Sequence, residues 1–195
     1  MTSPTTSFSD QAARLRLFVA VAVPDPIRTA IDDAATPLRD SVPGLRWTDP
    51  QSWHLTLAFL GGVPRERLGP IEDAVGEAAA AAHPFTLRLS GTAGTFSGGG
   101  GGVLWVGLEP APMLDELAEG LRRDLSAMAP EVDAQPFQPH LTLARSTPNQ
   151  RVTPDLAERY SGPRFPWTVR RLALMRSRLA VGGARYAVYA EWPLE

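Results

Sequence analysis

Apolar and polar positions alternate over residues 14–23. Leu15, Leu17, Val19, Val21 and Val23 fall on one face, and Arg16, Phe18, Ala20 and Ala22 on the other. A period of two predicts a β-strand, which Pro24 and Pro26 end. The period then lengthens. Ile27, Ala30, Ile31, Ala34 and Leu38 form one stripe at helical spacing, so residues 26–39 predict a helix, with Asp25 as N-cap and Pro26 at its first position. Pro43-Gly44 marks a turn. A second strand, WHLTLAFL, is predicted over residues 53–60 and closed by Gly61-Gly62, followed by an Ala- and Glu-rich helix over 64–82.

The second half repeats this order. Strands are predicted over 84–90 and 103–108, separated by a loop with five consecutive glycines, Gly98 to Gly102. A helix over 111–128, a strand over 138–145 and two closing strands near 167–179 and 184–192 follow. His54-Leu55-Thr56-Leu57-Ala58 recurs as His140-Leu141-Thr142-Leu143-Ala144. Each copy ends a strand, helix, HLTLA-strand series, so a duplicated lobe explains the order. Two copies at so long a spacing do not make a solenoid.

Composition narrows the chemistry. The chain of 195 residues fits one domain or two small lobes around a shared core. It has no Cys, which removes thiol nucleophiles, disulfides and Cys-ligated zinc. All 19 basic residues are Arg. Without Lys there is no Schiff base, no Walker A lysine and no nucleotidyl-lysine intermediate, so a lysine-adenylating ligase is excluded. The net charge of −2 lacks the basic excess of a protein that coats long nucleic acid. Any nucleic-acid contact is then expected at one end or over a few nucleotides. No apolar run is long enough to span a membrane, and residues 1–13 have neither the basic start nor the apolar run of a secretory signal. These residues are expected to be a disordered tail ahead of a bilobal domain over 14–195, in a cytoplasmic, monomeric protein.

The repeat carries the candidate chemistry. Side chains alternate across a strand, so His54 and Thr56 share one face and Leu55, Leu57 and Phe59 the other. His140 and Thr142 likewise oppose Leu141 and Leu143. Two lobes facing each other would bring two imidazoles and two hydroxyls into one cleft. That set suits phosphoryl chemistry without a metal or cofactor. With an ordinary imidazole pKa of about 6.5, one His can be neutral and take a proton from water while the other is charged and donates one to the leaving oxygen. Thr56 and Thr142 can donate hydrogen bonds to phosphate oxygens. A single structural His is common in strands, but a structural His has no reason to recur with the same Thr two places on.

At these residues the sequence resembles the 2H phosphoesterase superfamily, named for two His-x-Thr motifs, and within it the bacterial RNA 2′,3′-cyclic phosphodiesterases, also called 2′-5′ RNA ligases. The blocks RLFVAVAVP, WHLTLAFLGGVP, VLWVGL, PHLTLAR and ARYAVYAEWPL carry the resemblance. It implies an α+β fold of two pseudo-symmetric lobes, with outer helices and antiparallel sheets whose motif strands face a central cleft. It implies cofactor-free hydrolysis of RNA 2′,3′-cyclic phosphate ends to 2′-phosphomonoesters, with His140 as base and His54 as acid. It also assigns Arg145 to the phosphate. Strict alternation puts Arg145 on the leucine face instead. It reaches the cleft if the strand ends or twists at Ala144; otherwise it is an exposed structural Arg.

Weaker candidates remain. Phe18 lies on the polar-side register of the first strand and could stack on a base, with core packing as the alternative. Phe59, on the leucine face, reads as core. Arg176 and Ser177 could line the groove or be solvated. The glycine run precedes no Lys and no helix, so it is a loop rather than a phosphate cradle. His83 is expected to cap a helix end or lie on the surface. Other readings of the whole are a 2H enzyme acting on 2′-5′-linked oligonucleotides or small cyclic nucleotide phosphates, and a non-catalytic module that binds RNA ends.

Overall fold

The computed structural model describes residues 14–97, 101–129, 131–132, 135–180 and 183–195. The expected tail, residues 1–13, lies outside these, as do Gly98, Gly99 and Gly100 of the glycine run. The chain forms β1 (Arg14–Ala22), α1 (Asp25–Ser41), β2 (Arg46–Trp47), β3 (His54–Pro64), α2 (Leu68–Ala80), β4 (Phe85–Phe96), β5 (Val103–Leu108), α3 (Pro112–Leu125), β6 (His140–Arg145), α4 (Pro154–Glu158), β7 (Pro166–Val169), β8 (Arg171–Ala180) and β9 (Gly183–Pro193).

The strands make two sheets, ordered β3-β1-β8-β9 and β2-β6-β5-β4-β7, and every pairing is antiparallel. The duplication is visible in this order. β1-α1-β3 in one sheet and β5-α3-β6 in the other follow the same path, each motif strand beside the strand that precedes its helix. The α+β fold with two related lobes is as expected. Helices bury one stripe each: Ile27, Ile31, Ala35 and Leu38 in α1, Leu68, Ile71, Val75 and Ala79 in α2, and Leu114, Ala118, Leu121 and Leu125 in α3. α3 packs on β3 and on α2, and α2 on β8 and β9. The leucine faces of the motif strands are buried as well, with Leu55, Leu57, Leu141 and Leu143 at most 1% exposed. One apolar cluster runs through both lobes. Among the described residues no helix is long and apolar enough to cross a membrane.

Several boundaries differ from the sequence reading. The closing strand near 167–179 is two strands in different sheets, β7 in the second and β8 in the first. Periodicity reports a strand's faces but not its neighbours, so the crossing at Arg170 left no mark. Asp25 is the first helical residue, and Pro24 takes the N-cap place without a side-chain cap. β3 does not stop at Gly61-Gly62. It runs on to Pro64 through a second register shift, which leaves Leu60 as the extra residue beside Gly61, at φ +66°. The helix foreseen from Pro64 begins at Leu68, after a single 3₁₀ turn over Arg65–Arg67. β4 extends to Phe96, and β6 starts at His140. β2 and α4 are too short to show a period.

Candidate active site

The motif strands are not regular. In the β1–β3 ladder Val19 pairs with Ala58 but Ala20 with Thr56, leaving Leu57 as an extra residue. In the β5–β6 ladder Leu104 pairs with Ala144 but Trp105 with Thr142, leaving Leu143 extra. The same β-bulge thus falls at the same place in both copies. A bulge puts two successive residues on one side, and Leu57 with Ala58, like Leu143 with Ala144, is buried. The alternation therefore flips after the bulge. Phe59 and Arg145, five residues after their histidines, turn to the His-Thr side.

This overturns the assignment of Phe59 to the core. It lines the cleft, where the Arg16 guanidinium sits 4.7 Å from its ring centroid. The bulge also supplies the twist that Arg145 requires. Arg145 is exposed and lines the same cavity as both motifs, and among the described residues it has no carboxylate partner.

That cavity, of about 250 Å³, is lined by His54, Thr56, His140 and Thr142, one pair from each sheet, together with Phe59 and Arg145. The two histidines are anchored alike. His54 Nδ1 lies 2.7 Å from the Ser52 carbonyl oxygen, and His140 Nδ1 lies 2.8 Å from that of Gln138. A carbonyl only accepts, so each Nδ1 carries the hydrogen and donates. Each neutral ring then has its lone pair on Nε2, the remaining nitrogen. Among the described residues neither Thr56 nor Thr142 commits its hydroxyl to a protein partner.

Electrostatics sets the protonation. Burial lowers the His54 pKa from 6.5; the bond to Ser52 opposes this, and the nearby His140 charge adds to it. Burial likewise lowers His140, opposed by the bond to Gln138 and reinforced by Arg145. Desolvation penalises the charged form of each ring.

Aromatic rings hold both imidazoles. His54 lies 4.6 Å from Phe18 and 4.8 Å from Tyr186, ring centre to ring centre, and His140 4.9 Å from Phe96 and 6.3 Å from Trp105. Phe18 is on the cleft side, but at 2% exposed it has no free face for a base. Its stacking role is therefore corrected to packing under His54. Ser177 lines the cavity, while Arg176 lies on the opposite side of β8, in register with Leu172 and Leu174. His83 lies apart, its Nδ1 bonded to the Glu195 backbone oxygen. Sequence reasoning missed Arg16 and Tyr186. Arg16 shares a strand face with Phe18 and was legible in principle; Tyr186 comes from β9 and reaches the cleft only through sheet order. Among the described residues, no three His, Asp or Glu side chains cluster as metal ligands would.

A bilobal α+β protein with one His-x-Thr pair from each sheet in a shared cleft is the class that fold and site define. Residues 23–180 match the model of the 2′-5′ RNA ligase superfamily, and the chain belongs to that family, the 2H phosphoesterases. It is 37% identical over 188 residues to an RNA 2′,3′-cyclic phosphodiesterase of Thermus thermophilus, covering 92% of this chain and 90% of that one. An Archaeoglobus fulgidus protein of the same name is 31% identical, covering 88% and 96%. Among solved structures, TT0787 of Thermus thermophilus superposes with a TM-score of 0.78 at 34% identity, covering 92% of this chain and 98% of that one. Escherichia coli LigT complexed with 3′-AMP gives 0.75 at 29%, covering 93% and 98%.

Proposed function

We propose that this protein opens RNA 2′,3′-cyclic phosphate ends to 2′-phosphomonoesters by two-histidine general acid–base catalysis that needs no metal. The observation that carries the reading is the matched anchoring of His54 and His140. Both Nδ1 atoms donate to backbone carbonyls, so both Nε2 atoms are the free nitrogens of rings lining one cavity with two uncommitted threonine hydroxyls.

His140 Nε2 takes a proton from water as the water oxygen bonds to phosphorus. The bond from phosphorus to the 3′ oxygen breaks, and His54, protonated at Nε2, delivers its proton to that oxygen. The products are a 2′-phosphate and a 3′-hydroxyl. Displacement in line needs the base and acid on opposite sides of phosphorus, which suits histidines from two facing sheets. Thr56, Thr142 and Arg145 bind the non-bridging oxygens and stabilise their developing charge. The assignment of base and acid follows the family resemblance; the relatives' names support the substrate.

Lowered pKa values suit the base, which must be neutral. The acid must be charged, and the anionic substrate supplies the field that raises its pKa on binding. The test uses a short RNA with a 2′,3′-cyclic end in excess EDTA. Wild type should convert it to a 2′-phosphate, and His54→Ala and His140→Ala should each lose at least about 10²-fold in kcat. Activity that returned only with added metal would refute the mechanism. Binding without conversion would point to the non-catalytic module, and conversion restricted to cyclic mononucleotides or 2′-5′-linked oligonucleotides would move the substrate assignment.

A further inference from the structure

A second, larger cavity of about 800 Å³ opens beside the first, and His54, Arg145 and Tyr186 line both. The smaller cavity is below the range of about 300–1,000 Å³ that encloses a drug-sized ligand. It suits the cyclic phosphate and its ribose, while the larger one has room for a further nucleotide. Its wall carries an arrangement that the hydrolysis does not use. Arg46 on β2 is directly opposite Arg145 on β6. Both are exposed, and both line the larger cavity. Like charges directly opposite on neighbouring strands are destabilising, and among the described residues neither guanidinium has a carboxylate partner. Arg185 on β9, also exposed and without such a partner among the described residues, faces them across the same space.

The other charged groups on the wall offset these only in part. Arg28 is already paired with Asp25 at 3.0 Å. Asp49 accepts the Gln51 backbone N–H, and Glu191 adds one further carboxylate. A chain with net charge −2 thus places three guanidiniums, without carboxylate partners among the described residues, at the mouth of its reactive cleft. An anion running outward from Arg145 past Arg46 would relieve the repulsion, and the phosphodiester that follows a terminal nucleotide is such an anion.

We infer that the larger cavity is a subsite for the nucleotide on the 5′ side of the cyclic end, with Arg46 and Arg185 binding the phosphodiester that joins the two. This rests on the cyclic-phosphodiesterase reading for its register, and it makes an oligonucleotide end the preferred substrate over a cyclic mononucleotide.

The test compares a dinucleotide with a mononucleotide, first as 3′-monophosphates in titration calorimetry and then as 2′,3′-cyclic phosphates in kcat/KM. In wild type the dinucleotide should bind, and turn over, at least about tenfold better, as one charge-assisted contact provides. Arg46→Ala and Arg185→Ala should each cut that ratio several-fold, with Arg46→Lys recovering part of it. A wild-type ratio near one, or equal losses on both ligands in the variants, overturns the subsite. If neither cyclic substrate turned over, the activity assignment would fall, while the binding ratio would still decide the subsite.

Discussion

At the residue scale the cleft is governed by desolvation. His54 and His140 sit where burial disfavours their charged forms, and this has consequences for both rate and stability. The free enzyme should show a bell-shaped kcat/KM profile centred below pH 6.5, since both imidazoles titrate low. The profile of kcat should shift to higher pH, because bound phosphate stabilises the charged acid; a flat profile from pH 5 to 8 would refute the pair. For stability the sign follows from the same shift. A His whose folded pKa lies below its unfolded value takes up its proton first in the unfolded chain, so stability present at pH 7 declines as pH falls through 6.5. Urea midpoints should drop between pH 7 and 5.5, and a His54→Asn/His140→Asn double variant should flatten that slope. Thr56→Val and Thr142→Val, close in shape but without the donor, should each lower kcat by about 10–10²-fold, with Ser in either place recovering most of it. The His-x-Thr pairs were legible in the sequence because the strand period places both side chains on one face. The low pKa values were not, because they depend on Phe18, Tyr186, Phe96 and Trp105 closing around the rings from elsewhere in the chain.

At the element scale the repeated bulge matters most. It follows Thr56 and Thr142 at equivalent positions and places Phe59 in one lobe and Arg145 in the other on the reactive side. An unbroken alternation assigns both to the core side, and that reading failed for Phe59. A bulge adds a residue without changing composition, so one sequence period cannot reveal it; the repeated pair Leu57-Ala58 and Leu143-Ala144, two apolar residues in succession, is its only trace. The later shift in β3, at Leu60, lies beside Gly61 at φ +66°, where an L side chain is strained and a Cβ would meet Glu131 within 2.0–2.7 Å. Gly61→Ala should destabilise the fold by about 1–3 kcal/mol. Gly62→Ala, with no positive φ and nearest contacts of 3.6–4.0 Å, should cost under about 1 kcal/mol. Chemical denaturation of the two variants side by side checks the difference.

At the scale of the molecule, two lobes share one apolar cluster, reinforced because the chain crosses between sheets at Arg170, from β7 to β8. Neither lobe is built from a contiguous half of the chain. Unfolding should therefore be a single transition, with tryptophan fluorescence and far-UV circular dichroism giving the same urea midpoint; two separated midpoints would show that the lobes fold apart. The sequence by itself determined the local period of each main element, the duplicated His-x-Thr units, and the exclusion of thiol and lysine chemistry, because these are set by residue type and near-neighbour spacing. Only the tertiary structure decided which strands are neighbours, which side chains close over the histidines, and that Arg46 and Arg145 stand opposed at the cleft mouth. Those facts depend on contacts between residues far apart in the chain, and a one-dimensional pattern does not encode who meets whom.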